Sequence, residues 1–292
     1  MKSKLMEIIY SGKVLISDGA MGTELQKRGL TTGDCPEEYN ISKPEIIKSI
    51  YKAYYDAGSD IIETNTFGGT RPRLQKHGHT DKVKLFSKKS AELAKEVCPE
   101  GKFVAGSIGP TGEILEPLGS MTAEEAYQVF AEQAEALAEG GADVLFVETM
   151  MAIEEAETAL KAAKLVTNLP VSATMTFELT GGEARTSWGV DVPTAVDRLI
   201  SAGADIIGSN CGNGIDVILA VIRKMRELTD IPLLAQPNAG LPEVIDSKII
   251  YRQKPQDVEQ KLRELLSLKV NIIGGCCGTD PEYIKFLRKI VP

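Results

Sequence analysis

Residues 202–212 read AGADIIGSNCG, and the same pattern stands at 57–67, AGSDIIETNTF, and at 140–150, GGADVLFVETM. Each copy has a Gly-x-Asp, then an apolar run, then a polar cluster. Each follows a helical-looking segment. Glycine takes the left-handed conformation that closes a helix at low cost. The apolar part lacks polar alternation, as expected of a strand buried on both faces of a parallel sheet. The pattern predicts a helix, a glycine cap and a buried strand in direct succession. LKVNIIGGCCG, from Leu268, is a fourth and weaker copy.

Counting every such run gives eight: VLISDG (14–19), DIIETNTF (60–67), KFVAGSIG (102–109), DVLFVET (143–149), PVSATMTF (170–177), DIIGSNCG (205–212), IPLLAQPN (231–238) and VNIIGGCCG (270–278). Helical stretches separate them. Residues 122–141 open on Thr-x-x-Glu, a capping-box signature, and stop at Gly-Gly. Residues 254–270 carry Val258, Leu262, Leu265 and Leu266 at helical spacing. Eight strand–helix units in 292 residues predict a single (β/α)8 TIM barrel, one domain over 1–292. The alternative is a doubly wound open sheet. It usually has fewer strands and a G-x-G-x-x-G turn after the first, and the first turn here, SDGAMGTEL, lacks that spacing.

Composition narrows the function. The chain has 33 basic and 41 acidic residues, a net charge of -8, with no long run of one sign. A nucleic-acid surface and an anionic membrane surface are both disfavoured. The N-terminal MKSKLMEIIYSGK has no sustained apolar core or small-residue cleavage site, and no apolar run approaches the roughly 20 residues of a membrane span. A cytoplasmic location is expected. The five cysteines, Cys35, Cys98, Cys211, Cys276 and Cys277, are an odd number in a large chain, which disfavours a disulfide framework and leaves reactive thiols or metal ligands.

Polar residues gather at the strand ends: Asp18 on the first, Glu63, Thr64 and Asn65 on the second, SIGPTG on the third, Glu148 and Thr149 on the fourth, Asn210 and Cys211 on the sixth, Asn238 on the seventh, and Cys276 and Cys277 on the eighth. In a barrel these ends converge on the face where active sites are built. The sixth and eighth strand ends lie two strands apart, roughly 10 Å at strand spacing, a gap that an inward-bending loop closes. Three thiolates with one open position describe a catalytic zinc site, and three soft sulfurs favour zinc over harder ions. Neighbouring residues of a regular strand face opposite ways, so two adjacent cysteines need a backbone bend to reach one metal. Gly274, Gly275 and Gly278 are expected to supply it through conformations closed to other residues. The alternatives are a small buried pair or a vicinal disulfide. Cys35, in a polar loop, and Cys98, at a helix end, are expected to be non-functional.

The motifs DGAMGTEL (18–25), ETNTFGG (63–69), SIGPTG (107–112), GSNCG (208–212), QPNAGLP (236–242) and GGCCGT (274–279) resemble, in order and spacing, the homocysteine S-methyltransferase family over essentially the whole chain. The resemblance implies a zinc-dependent barrel enzyme that methylates homocysteine to methionine. It assigns Cys211, Cys276 and Cys277 as zinc ligands and Asn238 as a substrate-free fourth ligand. Asp18 and Glu148 are the carboxylates for the substrate ammonium. The amides of Gly19 and Ala20 would hold the substrate carboxylate, and Asn65 joins the substrate-binding candidates. The chemistry agrees: an unperturbed thiol has a pKa of roughly 8.5, and coordination to zinc deprotonates it to a nucleophilic thiolate.

Within the family, SIGPTGEILEPLG (107–119) and QPNAGLPE (236–243) are similar to the homocysteine-binding module of cobalamin-dependent methionine synthases. That likeness implies methylcobalamin or another methyl-corrinoid as donor. The Asp-x-His-x-x-Gly signature of a corrinoid module is absent, and His77 and His79 have the wrong spacing for it. The donor is therefore expected on a separate corrinoid protein, with the chain either a stand-alone subunit or an excised module. The alternatives are an S-methylmethionine or S-adenosylmethionine-dependent homocysteine methyltransferase, and a structural-zinc scaffold subunit. The basic loop 69–79 and Trp188 are placed on the donor face, where each is either a lining element or an ordinary solvated residue.

Overall fold

The computed structural model describes residues 3–245 and 248–292. Eight parallel strands form one sheet: β1 (Leu15–Ile16), β2 (Ile61–Glu63), β3 (Phe103–Ile108), β4 (Val144–Met150), β5 (Val171–Met175), β6 (Ile206–Cys211), β7 (Leu233–Pro237) and β8 (Ile272–Ile273). Their spatial order is β1-β8-β7-β6-β5-β4-β3-β2, each paired in parallel with its neighbour. Every predicted run contains a strand. Helices alternate with the strands, among them Pro44–Ala57, Val83–Val97, Ala123–Glu139, Ile153–Val166, Ile215–Leu228 and Pro281–Ile290. The result is a nearly closed (β/α)8 barrel.

The remaining seam, between β1 and β2, is stitched largely by side chains. The Asp60 amide donates to the Ile16 carbonyl at 2.6 Å. Asp60 Oδ2 accepts from the Ile16 amide at 3.0 Å, and Asp18 Oδ2 accepts from the Glu63 amide at 2.9 Å. These carboxylates stand in for ladder carbonyls where the strands are too short to pair fully.

The recurring Gly-x-Asp has a physical origin. Gly58, Gly141 and Gly203 take φ of 114°, 97° and 96°, the left-handed turn off the preceding helix. Two residues on, each Asp accepts the backbone N–H that opens the neighbouring strand: Asp60 from Ile16, Asp143 from Val104 and Asp205 from Val171. The fourth copy follows the same plan with different residues. Lys269 takes φ 57° in place of glycine, and Asn271 Oδ1 accepts from the Leu233 amide at 3.0 Å.

Successive strand residues alternate between two cores, the period-two rule of a strand. Leu15, Ile61, Phe103, Phe146, Ile206, Leu234 and Ile272 point into the barrel. Ile16, Ile62, Val104, Leu145, Ile207 and Ile273 point outward beneath the helices. The helix Lys4–Tyr10 plugs the N-terminal end, with Leu5, Met6 and Ile9 in the inner cluster. Each buried aliphatic side chain there contributes about 1.5–3 kcal/mol. With that end filled by apolar residues, the polar strand ends face the opposite opening.

The capping box at Thr122 forms as expected: the Glu125 amide donates to Thr122 Oγ1 at 3.1 Å, and Glu125 Oε2 accepts from the Thr122 amide at 2.8 Å. The segment 254–270 opens as a 3-10 turn, Pro255–Val258, before the helix Glu259–Ser267. Two antiparallel hairpins, Glu178–Thr180 with Glu183–Arg185 and Pro242–Ile245 with Lys248–Tyr251, add to the loops after β5 and β7. Among the described residues no helix is long and apolar enough to cross a membrane.

Candidate metal centre

The Sγ atoms of Cys211, Cys276 and Cys277 lie within 4.8 Å of one another, and each residue is partly exposed at the barrel mouth. Three sulfurs on 2.3 Å arms of a tetrahedral zinc would stand roughly 3.8 Å apart. The cluster is already within about an ångström of that geometry. Hydrogen bonds from Cys276 and Cys277 lower the Cys211 thiol to about 3. The same contacts push Cys276 well above its ordinary value and Cys277 up to about 11. A divalent cation held by all three sulfurs would take the place of their thiol protons. All five cysteines are free thiols.

The backbone that gathers the sulfurs differs in detail from the sequence expectation. Cys276 and Cys277 lie beyond β8 in a turn closed by the Thr279 amide on the Cys276 carbonyl at 3.1 Å, so strand alternation does not apply to them. Of the three glycines, only Gly278 takes a positive φ, 79°. Gly274 and Gly275 are required by close approach instead: a Cβ at Gly274 would overlap Ser17 Oγ, and one at Gly275 would overlap Thr279 Oγ1. The left-handed backbone falls on Cys211 itself, at φ 62°, followed by Gly212 at φ 67°. A non-glycine residue there costs roughly 1–2 kcal/mol. Such a conformation persists only where the surroundings enforce it, as at ligand clamps.

Asn238, at the end of β7 between β6 and β8, completes the ring. Its Nδ2 donates to the Gly212 carbonyl at 2.7 Å and lies 3.7 Å from Cys211 Sγ. Its Oδ1 is buried with no hydrogen-bond partner. A buried amide oxygen without a donor is costly, and it is the atom type a cation would take. Three sulfurs and one orphaned oxygen are a donor set that fits a single zinc ion.

Beside the sulfurs lies a pocket of carboxyl groups. Asp18 and Glu148 are buried, as expected of the predicted pair. Asp18 Oδ1 has no partner. Glu148 accepts from Ser107 Oγ, from Asn210 Nδ2 at 3.4 Å and from Thr149 Oγ1 at 3.5 Å. Burial raises both carboxyls above the ordinary range. No arginine pairs with Glu148, and none of the described lysines, arginines or histidines lies against either group.

Two of the predicted substrate residues spend their N–H groups inside the protein. Asn65 does not face the mouth: its Nδ2 donates to the Pro36 carbonyl at 2.7 Å and to Asn40 Oδ1 at 3.1 Å, tying β2 to the loop behind it. The Ala20 amide donates to the Thr279 carbonyl at 3.2 Å, so it is engaged inside the protein, whereas the Gly19 amide makes no such bond. Cys35 is buried beside Leu74, Val83 and Phe86, not set in an open polar loop, and Cys98 Sγ accepts from Tyr55 Oη. Both are remote from the cluster. The basic loop is held by local pairs, Arg71 with Glu132 and Lys76 with Glu113, the solvated reading. Trp188 stands exposed on the rim.

Three residues gain their contacts only in the structure. Asn210 knots β4 to β6, its Oδ1 accepting from the Thr149 amide at 3.0 Å and from Thr174 Oγ1 at 2.8 Å. Tyr251, brought in by the second hairpin, packs where a Gly278 side chain would stand, beside the cysteine turn. Glu63 turns its carboxyl toward Glu148 and accepts from Gln236 Nε2. Glu63 is visible in the ETNTF motif, while nothing in the sequence marks Tyr251.

The sequence profile described as homocysteine S-methyltransferase matches residues 15–291. The methionine synthase of Mycobacterium leprae (strain TN) is 30% identical over 291 residues, covering 94% of this chain and 24% of that protein. That of Mycobacterium tuberculosis (strain ATCC 25618 / H37Rv) is 30% identical over 295 residues, covering 95% and 24%. The chain thus spans about a quarter of the length of these relatives. The metallated form of the homocysteine methyltransferase MmuM from Escherichia coli superposes with a TM-score of 0.81 at 25% identity, covering 98% of this chain and 99% of that one. With a profile match running from β1 to the C-terminal helix, and the same barrel in a solved relative, the chain belongs to the homocysteine S-methyltransferase family.

Proposed function

We propose that residues 1–292 act as one homocysteine-binding unit that methylates homocysteine to methionine. The observation that carries the reading is the convergence of three thiol sulfurs and a cation-free pair of carboxyls at one mouth. Cys211, Cys276 and Cys277 would hold zinc, with Asn238 Oδ1 at the fourth position before substrate arrives. Zinc bound there would supply a homocysteine sulfur that is a thiolate at neutral pH. The partnerless Asp18 Oδ1 and the Glu148 carboxylate would pair the substrate ammonium, which is costly to leave alone once out of water. The Gly19 amide would donate to the substrate carboxylate. A structural-zinc scaffold is the poorer reading, because such sites close with four firm protein ligands and this one offers three sulfurs, all partly exposed.

The donor is proposed to be a methyl-corrinoid carried by a separate protein or domain. Phe67, Ile114, Leu118, Met151, Trp188 and Leu241 are exposed apolar residues in the loops that follow the strands. Such a rim suits a bulky donor better than a small polar sulfonium. The curated relatives are named methionine synthases and are about four times longer than this chain. The second reading is a sulfonium donor such as S-methylmethionine, a small molecule that a barrel of this size could use without a further domain; the homocysteine methyltransferase MmuM is matched over 99% of its chain. Methionine formation by zinc-loaded protein, with methylcobalamin, S-methylmethionine and betaine supplied in turn, tests both. The proposal expects turnover with methylcobalamin and none with betaine. Faster turnover with S-methylmethionine overturns the donor assignment, and no methionine with any donor overturns the activity.

A further inference from the structure

β1, β2, β4 and β7 send Asp18, Glu63, Glu148 and Gln236 to one place in the barrel. The Glu63 and Glu148 carboxyls face each other in this cluster, Glu63 held by Gln236 and Glu148 by Ser107 and Asn210. The Glu63 amide donates to Asp18 Oδ2 at 2.9 Å, so its backbone is pinned to the same cluster. No described cation stands against any of the three carboxyls.

Two carboxyl oxygens bond to each other only if a proton lies between them, and two carboxylates in contact with no cation cannot both stay ionised. The surroundings decide which one holds it. Glu148 is surrounded by donors, Ser107 Oγ, Asn210 Nδ2 and Thr149 Oγ1, which favour its anion. Glu63 accepts from a single donor, Gln236 Nε2 on Oε1, leaving its other oxygen to donate. Burial acts in the same direction, raising the Glu63 carboxyl well above the ordinary range.

We propose that Glu63 is a positioning residue that sets specificity: as a neutral acid it donates to Glu148 and holds that carboxylate toward the ammonium of an amino thiol. This rests on the homocysteine reading for the identity of the ligand. Three ionised carboxyls around one ammonium would leave two surplus negative charges in the pocket. The proton on Glu63 removes one of them and at the same time fixes the Glu148 rotamer.

The test uses the zinc-loaded full chain and calorimetric binding of L-homocysteine and 4-mercaptobutyrate, which differ only by the ammonium. The ratio of the two affinities reads the ammonium pocket alone. A site built to hold a polar group rejects the analogue lacking it strongly, by on the order of 100-fold or more. Glu63→Ala is expected to lower that ratio at least tenfold with zinc content unchanged, and Glu148→Gln to do the same. Glu63→Gln, which keeps a donor for Glu148 and an acceptor for Gln236, is expected to restore the ratio to within about threefold of the parent. A Glu63→Gln ratio as low as that of Glu148→Gln means that Glu63 works as a carboxylate, and the proposal falls. An unchanged ratio in Glu63→Ala also overturns it. Infrared difference spectra give an independent readout: a protonated-carboxyl C=O band in the parent that Glu63→Gln removes and Asp18→Asn leaves in place. A parent without that band refutes the shared proton. Should the parent bind neither thiol, the homocysteine reading fails, while the infrared band still decides the state of Glu63.

Discussion

Gly274→Ala should destabilise the protein by about 2–4 kcal/mol. Gly274 leaves β8 immediately before the cysteine turn, with its amide on the Ala235 carbonyl at 3.0 Å. A Cβ there would overlap Ser17 Oγ, lie 3.1 Å from Ser17 Cβ and 2.9 Å from the Asp18 carbonyl oxygen. Ser17 is fully buried and accepts from Gln236 Nε2 at 3.1 Å. Rotating it away breaks that bond, which costs about 1 kcal/mol. The Asp18 carbonyl is backbone and stands half an ångström inside ordinary contact at 3.4 Å, so the chain itself must shift. Overpacking of that kind costs about 1–3 kcal/mol. Urea unfolding followed by circular dichroism measures the loss. In the double variant with Ser17→Gly the side-chain overlap is gone while the carbonyl contact remains, so the two changes should couple by about 1 kcal/mol or more. A Gly274→Ala protein within about 0.5 kcal/mol of the parent, or a cycle that closes at zero, would refute the close-approach explanation. Gly22, a helical glycine with open space around its Cβ position, is the control: Gly22→Ala should stabilise by about 0.5–1 kcal/mol.

Changing any one of Cys211, Cys276 and Cys277 to Ser should weaken zinc by more than the roughly 10–100-fold that loss of an outer partner costs, read by competition with a chromophoric chelator. Cys98→Ser should leave zinc stoichiometry at the parent value, since its sulfur meets Tyr55 and not the cluster. Lys269→Gly should raise stability by about 0.5–1 kcal/mol, the left-handed strain relieved less the added backbone entropy of glycine; a lower urea midpoint would contradict it. Asp60 is buried, which opposes its charge, yet Lys102 at 2.6 Å and Arg288 at 3.0 Å hold its carboxyl below the ordinary range. A depressed pKa adds stability that is fully present above the unfolded value of roughly 3.9 and is lost as pH falls through the folded one. The stability difference between parent and Asp60→Asn should therefore be flat above about pH 5 and shrink below about pH 4; a gap that stays constant to low pH would contradict it.

The barrel was legible because its strands are buried on both faces, which forces unbroken apolar runs such as DVLFVE, and because each Gly-x-Asp does two backbone jobs at once. The three cysteines were legible because topology alone brings the ends of β6 and β8 to either side of β7. What was hidden depends on side-chain direction. Asn65 sits at a strand end like Asp18, yet its amide serves the Asn40 loop, and no spacing rule distinguishes the two. Gly274 and Gly275 look like conformational glycines, but their need is the room taken by Ser17 on the neighbouring strand and by Thr279 in the cysteine turn itself. The hairpin that delivers Tyr251, PEVI paired with KIIY, shows no regular alternation of apolar and polar residues. Glu63 stood in plain view in ETNTF, but its meaning comes from Glu148, which is 85 positions away in the chain and faces it in the fold.

X-ray absorption at the zinc edge tests the central claim most directly. Zinc-loaded protein without substrate should show three sulfurs at about 2.3 Å and one lighter N/O neighbour, and with L-homocysteine four sulfurs at that distance. A shell that keeps three sulfurs and one N/O neighbour under saturating homocysteine, or that already holds four protein ligands unmoved by it, would contradict homocysteine activation at Cys211, Cys276 and Cys277.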